Sequence, residues 1–378
     1  MRKRKFILQL IVTGLLSCIF ISFPAWFTSQ RVIPSIPIIS LLEDLPFYVN
    51  NFVTLILLSS LFLTLFVFKY EQFALKATLL ALCISCLFDQ IRVQPWVFSY
   101  AFMLLSFILY SEKKKAFSYT LIQIVLALGY FWSGIQKLNI SFIEGTFPWM
   151  IEPLLNIAPF LSNVPIQILA ISAAIIEAFF GLGLLFQKLR KISVITLVLM
   201  HLFILLMLSP IGHNHNEVVW PWNISYIILL FILFWNTEAI TYKSFVNKHD
   251  KLIFISYLLI FGFMPLFSFV NLWPKYFSAA LYSDNKIKTD FYISDELKEE
   301  WSESVNEVIQ PFDNKINLTE WALEELKLPP YPSIDYSIKM FDIFCESSTN
   351  EADVILIIKN EPSITSTERP TESYFCSD

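Results

Sequence analysis

The sequence predicts an all-α polytopic membrane helical bundle of about nine transmembrane helices, followed by a small α+β extracytoplasmic C-terminal domain. Three observations predict it. Of 378 residues, 56% are hydrophobic and only 16% charged, where a soluble domain of average composition carries about 25% charge. Apolar runs of membrane length recur through residues 1–274. From Lys275 the balance reverses: residues 275–378 hold nine Lys and Arg against twenty-one Asp and Glu, whereas residues 1–274 hold eighteen against eleven. Thirty-seven Phe against eight Gly exclude collagen-like, disordered and Gly-rich linker chains.

A bilayer core about 30 Å thick needs on the order of 20 apolar residues per helix. Runs at 6–23, 51–68, 116–135, 164–186 and 252–272 meet that, and 192–209 does so with one His. Three weaker runs complete nine spans: 73–88 contains Lys76, 95–110 is short, and 218–235 includes Pro221 and Asn223. Basic residues in short loops stay on the cytoplasmic side. With the amino terminus inside, fifteen Lys and Arg fall on inner segments, Lys113 and Lys243 among them, and three, Arg31, Arg92 and Lys137, on outer ones. The acidic tail then lies outside the cytoplasm of a cell membrane, the inner one in a bacterium with two. Residues 1–5 followed by an apolar run resemble a secretory signal. That run continues past Cys18 to Phe23, so a retained helix is expected.

In the tail, Asn317 or Thr319 is expected to cap a helix over 320–327 that Pro329 and Pro330 stop. Residues 336–345 and 352–359, rich in Ile, Phe and Val and joined by the polar stretch 346–351, predict a β-hairpin. Cys345 and Cys376 are the tail's two cysteines, and an oxidising compartment would let them pair. Cys83 and Cys86 have a Cys-x-x-Cys spacing but no second ligand pair, so they read as helix-packing residues.

Polar side chains inside the spans are the functional candidates, because a central charge costs at least about 2.5–3.5 kcal/mol. Lys137 ends the fifth span, in a stretch with Trp132 and Gln136. Glu177 lies mid-way along the sixth and His201 mid-way along the seventh. Equal depth allows Glu177 and His201 to form a buried acid–base pair. Lys137 either snorkels to the interface or, held in an apolar pocket, serves as a neutral-amine base. Gly181 and Gly183, just beyond Glu177, let helices approach closely.

Two outer clusters add binding candidates. Asp89, Arg92 and Gln94 turn the chain between the third and fourth spans, with Asp89 and Arg92 placed to pair. His213, His215 and Asn216 lead into Trp222 and Asn223. A His-x-His pair beside Glu217 has metal-ligand spacing, but a loop anchored by tryptophan at the headgroups is the expected arrangement and no metal is assigned. Trp149, in the outer connection between spans five and six, is placed to cover the outer end of the bundle. These residues together predict an outward-facing cavity with a polar floor. No Gly-rich phosphate loop, Ser-His-Asp signature or basic nucleic-acid patch is present.

The stretch Ser133-Gly134-Ile135-Gln136-Lys137-Leu138, followed by Glu144-Gly145, resembles the HTTM superfamily, whose best-known member is the vitamin K-dependent gamma-carboxylase. The run from Glu177 to Gly183 is similar to the acidic helix of DoxX-like membrane proteins. The resemblance implies that Lys137 is a catalytic base, that Glu177 and His201 tune protons, and that a hydrophobic quinone of the reduced vitamin K type is the cofactor. The other reading is a non-catalytic membrane scaffold whose acidic tail docks an extracytoplasmic protein partner.

Overall fold

The computed structural model describes residues 2–28, 31–43, 45–110, 114–237, 247–300, 314–346 and 353–376. Lys113, Lys243 and residues 347–351 of the polar link lie outside the described residues. Two compact units emerge. The first comprises Met1–Cys18, Leu58–Leu79 and Gln94–Asn285; the second comprises Ile19–Leu57, Leu80–Val93 and Lys286–Asp378.

Among the described residues, seven helices are long and apolar enough to cross a membrane: α1 (Arg2–Ile21), α2 (Phe47–Phe66), the segment Phe68–Phe88 containing α3 (Glu71–Phe88), α5 (Lys115–Gln136), α7 (Ile166–Gly183), α8 (Arg190–Leu208) and the segment Lys248–Val270. Two apolar helices are shorter, α4 (Pro95–Leu109) and α9 (Val219–Phe234). A further helix before the tail is α6 (Phe147–Ile157). The segment Lys248–Val270 begins as α10 (Lys248–Leu258), passes through a π turn at Leu259–Phe263 and ends as a 3-10 stretch from Met264. Helix starts follow local chemistry. Pro95 opens α4, where its missing N–H is no loss, and the Asn247 side chain accepts from the Asp250 amide to cap α10.

Within the first unit, α5 packs most extensively on α7. Glycine makes that crossing close. A Cβ on Gly134 would lie 2.5 Å from the Ala174 carbonyl and the Ala178 amide, and one on Gly181 would lie 2.6 Å from the Phe131 amide. Hydrogen, but no methyl, fits there.

The second unit holds a four-stranded antiparallel sheet ordered β2 (Lys315–Asn317), β1 (Lys288–Ile293), β3 (Val354–Lys359) and β4 (Thr371–Phe375). Period-2 burial puts Val354, Leu356 and Ile358 inward. Asn317 caps the helix over Leu318–Leu326 by accepting from the Thr319 and Glu320 amides, as the sequence suggests. The expected hairpin is corrected. Residues Ile334–Cys345 form a helix, capped by Ser333, and only Val354–Lys359 is a strand. Tyr336, Met340, Phe341 and Phe344 recur at helical spacing and are buried on one face, so the period overrides their strand propensity. Phe344 packs edge-on to Phe291 at 5.2 Å and stacks on Trp321 at 5.9 Å. Cys345 and Cys376 form the disulfide, with Cα atoms 5.3 Å apart. Cys83 and Cys86 both lie on α3 as free thiols.

The tail does not form a unit by itself. Within the second unit the Val32 and Ile33 amides donate to Glu325, and Lys339 pairs with Glu43 at 3.2 Å. The break between the two units in this part of the chain falls after Asn285.

Candidate functional site

Lys137 follows the last residue of α5, and its side chain folds back along its own helix. Nζ donates to Ser133 Oγ at 3.0 Å and to Glu177 Oε2 at 2.5 Å. The two charged side chains are 12% and 7% exposed, so the amine is held inside the protein and does not snorkel. Glu177 reaches it from α7 because the close crossing at Gly134 and Gly181 brings the two backbones together.

The expected Glu177–His201 pair is corrected. His201, on α8, has other partners: its Nε2 lies 2.5 Å from Tyr130 Oη and its Nδ1 lies 2.5 Å from Asn223 Oδ1. Tyr130, His201 and Asn223 are all buried. Asn223 Nδ2 donates to the Val219 carbonyl at 2.6 Å, which fixes the amide's orientation.

These groups share one cavity of about 120 Å³, lined by Lys137, Glu177, Tyr130, His201, Asn223 and Ser133 among many apolar side chains. That is many times the roughly 10–15 Å³ a single water needs. Phe98, Trp132, Trp222, Tyr226, Phe261 and Phe277 supply flat walls. Trp132 is fixed by donating Nε1–H to the Gly262 carbonyl at 3.0 Å. That carbonyl lies in the π turn, where the normal helical ladder is interrupted.

The remaining sequence candidates lie elsewhere. Gln136 is buried and structural, donating to Ser268 Oγ at 2.7 Å and accepting from Asn285 at 2.6 Å. Gln94 is buried at the start of α4. Trp149 stacks on His213 at 4.2 Å, meets His215 edge-on at 5.2 Å, and accepts from His213 Nε2 through its carbonyl at 2.6 Å. It is thus part of the loop's packing and does not line the cavity. Asn214 and Asn216 turn that loop in the left-handed region, which asparagine tolerates. Asn216 then donates to Tyr282 Oη at 2.8 Å, and Tyr282 is a cavity residue. Burial, with His213 beside it, holds His215 below the usual imidazole pKa and therefore neutral. Among the described residues no group of three His, Cys, Asp or Glu side chains could hold a metal.

Asp89 and Arg92 belong to the second unit and do not line the cavity. They do not pair with each other as expected. Asp89 forms a fully buried ion pair with Arg31 at 2.6 Å. Arg92 donates to the carbonyls of Ala25 at 2.7 Å and Ser85 at 3.1 Å and to Asn50 Oδ1 at 2.6 Å. Burial pulls the Arg92 guanidinium down to about 10, opposed by the Asp89 carboxylate. Asp89 thus ties its turn to Arg31, and Arg92 ties it to the helices that carry Ala25, Asn50 and Ser85.

Sequence reasoning missed Tyr130. A signal existed, because Tyr130 and Ser133 on α5 and Lys137 just past its end stand at i, i+3 and i+7, one helix face.

The class defined by fold and site is a mostly helical protein with several membrane-length apolar helices, compatible with a multi-pass membrane protein, and a buried acid–base cavity. Comparisons with family models, with curated proteins and with solved structures return no match.

Proposed function

We propose that this chain is a membrane-embedded enzyme that moves protons on an apolar, ring-bearing ligand of the quinone class, with Lys137 as base in an outward-facing cavity. The observation that carries this reading is the Lys137–Glu177 pair at the wall of an aromatic-lined cavity. In the resting pair the ammonium is no base. Transfer of its proton across 2.5 Å to Glu177 Oε2 leaves a neutral amine, which then takes the proton of a ligand hydroxyl while the electron pair stays on the ligand oxygen. Low polarity favours that exchange because it removes two charges from an apolar site. The resemblance of residues 133–138 to the HTTM superfamily supports the same role for Lys137.

In the accompanying topology the two shorter apolar helices also cross, giving nine spans, with the amino terminus cytoplasmic and the tail extracytoplasmic. Bonds from the Val32 and Ile33 amides to Glu325 support it, because they place the tail with the loop between α1 and α2.

The test uses the full chain in nanodiscs with 2-methyl-1,4-naphthohydroquinone under anaerobic conditions. The wild type is expected to give the red-shifted absorbance of the bound hydroquinone anion. Lys137→Ala and the doubly apolar K137M/E177L are expected to lose it. An unchanged anion band in both variants would overturn the reading.

One observation favours the scaffold reading: among the described residues β4 is a mostly exposed strand at the margin of the sheet, the kind of edge to which another chain can add. It expects Lys137 variants to keep full biological activity.

A further inference from the structure

The Tyr130–His201–Asn223 chain has a direction that its hydrogen bonds determine. The Asn223 amide nitrogen is committed to the Val219 carbonyl, so the oxygen faces His201 Nδ1. An oxygen acceptor there requires the imidazole hydrogen on Nδ1. Nε2 therefore presents a lone pair to Tyr130, whose hydroxyl donates to it. All three residues line the cavity that also holds the Lys137 amine. That amine folds back to Ser133, so Lys137 and Tyr130 both border the cavity from the C-terminal end of α5.

The geometry points to Tyr130 as a second catalytic residue of this site, one that relays a ligand proton to His201. In this step the ligand O–H bond breaks and its proton passes to Tyr130 Oη. The tyrosine's own hydrogen passes to His201 Nε2, and the electron pair remains on the ligand oxygen. Tyrosine ends neutral and the imidazolium keeps its Nδ1–H on Asn223. Asn223 is a positioning residue: it selects the tautomer whose Nε2 is free to accept. The inference rests on reading the cavity as a proton-transfer site, but it names residues other than Lys137.

Two measurements on the full chain in nanodiscs test it. Nitrogen-15 NMR of histidine-labelled protein, with His201 assigned through His201→Gln, is expected to show the Nδ1–H tautomer in the wild type and a shifted Nε2 resonance in Tyr130→Phe. Finding the Nε2–H tautomer in the wild type overturns the relay whatever the ligand. Stopped-flow formation of the 2-methyl-1,4-naphthohydroquinone anion is expected to slow about 100-fold in Tyr130→Phe and in His201→Gln, with an altered pH profile in both. An unchanged rate and profile in Tyr130→Phe overturns the relay, as does a wild type that forms no anion. Loss of the band in Lys137→Ala together with an unchanged Tyr130→Phe leaves the Lys137 reading standing and the relay refuted. The reverse pattern refutes Lys137 as base and supports the relay.

Discussion

Lys137 Nζ lies 2.5 Å from Glu177 Oε2, and this pair joins the C-terminal end of α5 to the middle of α7. Both charges are largely withdrawn from solvent, so each makes the other tolerable in an apolar bundle.

Removing one partner should therefore destabilise more than removing both. Lys137→Met strands the Glu177 carboxylate and is expected to cost about 3–5 kcal/mol. K137M/E177L leaves no buried charge and is expected to melt near the wild type. Thermal unfolding in one detergent, followed by the fluorescence of a reporter thiol dye, compares the two. A double variant less stable than the single one would contradict a coupled pair.

The close crossing is the next dependency. Gly134→Ala places a methyl against the Ala174 carbonyl and the Ala178 amide, and overpacking of this kind costs about 1–3 kcal/mol. Because it pushes α5 from α7, it should also lengthen the Lys137–Glu177 contact. Gly129→Ala, where nothing lies within 4 Å of the added carbon, is the matched control and should melt no lower than the wild type, since alanine is the better helix former.

How much of this was legible in the sequence differs from residue to residue. Lys137, Glu177 and His201 are conspicuous because charge and imidazole are rare in apolar runs, and hydropathy alone finds the membrane-length helices. Partner choice was not legible. Depth along a helix gives height but not which way a side chain faces, so Glu177 and His201 appeared matched when their actual partners are Lys137 and Tyr130. Asp89 likewise has a nearby Arg92 in sequence yet pairs with Arg31, because the short turn at Gln90–Arg92 sends the Arg92 side chain to the carbonyls of Ala25 and Ser85. In the tail, the spacing of Tyr336, Met340 and Phe344 carries the helix, while β-prone Ile and Phe hid it.

The disulfide is expected to stabilise the second unit. Cys345 and Cys376 close a loop with a sequence separation of 31, worth about 3–4 kcal/mol by restricting the unfolded chain. In C345S/C376S the tail should become more sensitive to limited proteolysis, with cuts appearing between residues 346 and 376, while the cavity variants leave that pattern unchanged. Equal protease resistance with and without the bond would contradict this contribution.

A pH effect is expected in the loop carrying His213 and His215. His215 is held below its ordinary pKa of 6.5 by burial and by His213, so the folded loop binds fewer protons than the unfolded one. Its stabilisation is complete above about pH 6.5 and is lost as pH falls toward the lowered folded value. Hydrogen exchange of residues 209–218, corrected for intrinsic rates, should accelerate at pH 5.5 relative to pH 7.5. His215→Gln should abolish the difference.

The account turns on one dry ammonium. Reductive methylation of the folded full chain with carbon-13 formaldehyde, read by peptide mass spectrometry, measures the access of water-borne reagent to every lysine amine. Exposed amines such as Lys114 should be methylated readily, and Lys137, reached only through the cavity, should be methylated far more slowly. Methylation of Lys137 in the folded chain at the rate of Lys114 would contradict the account.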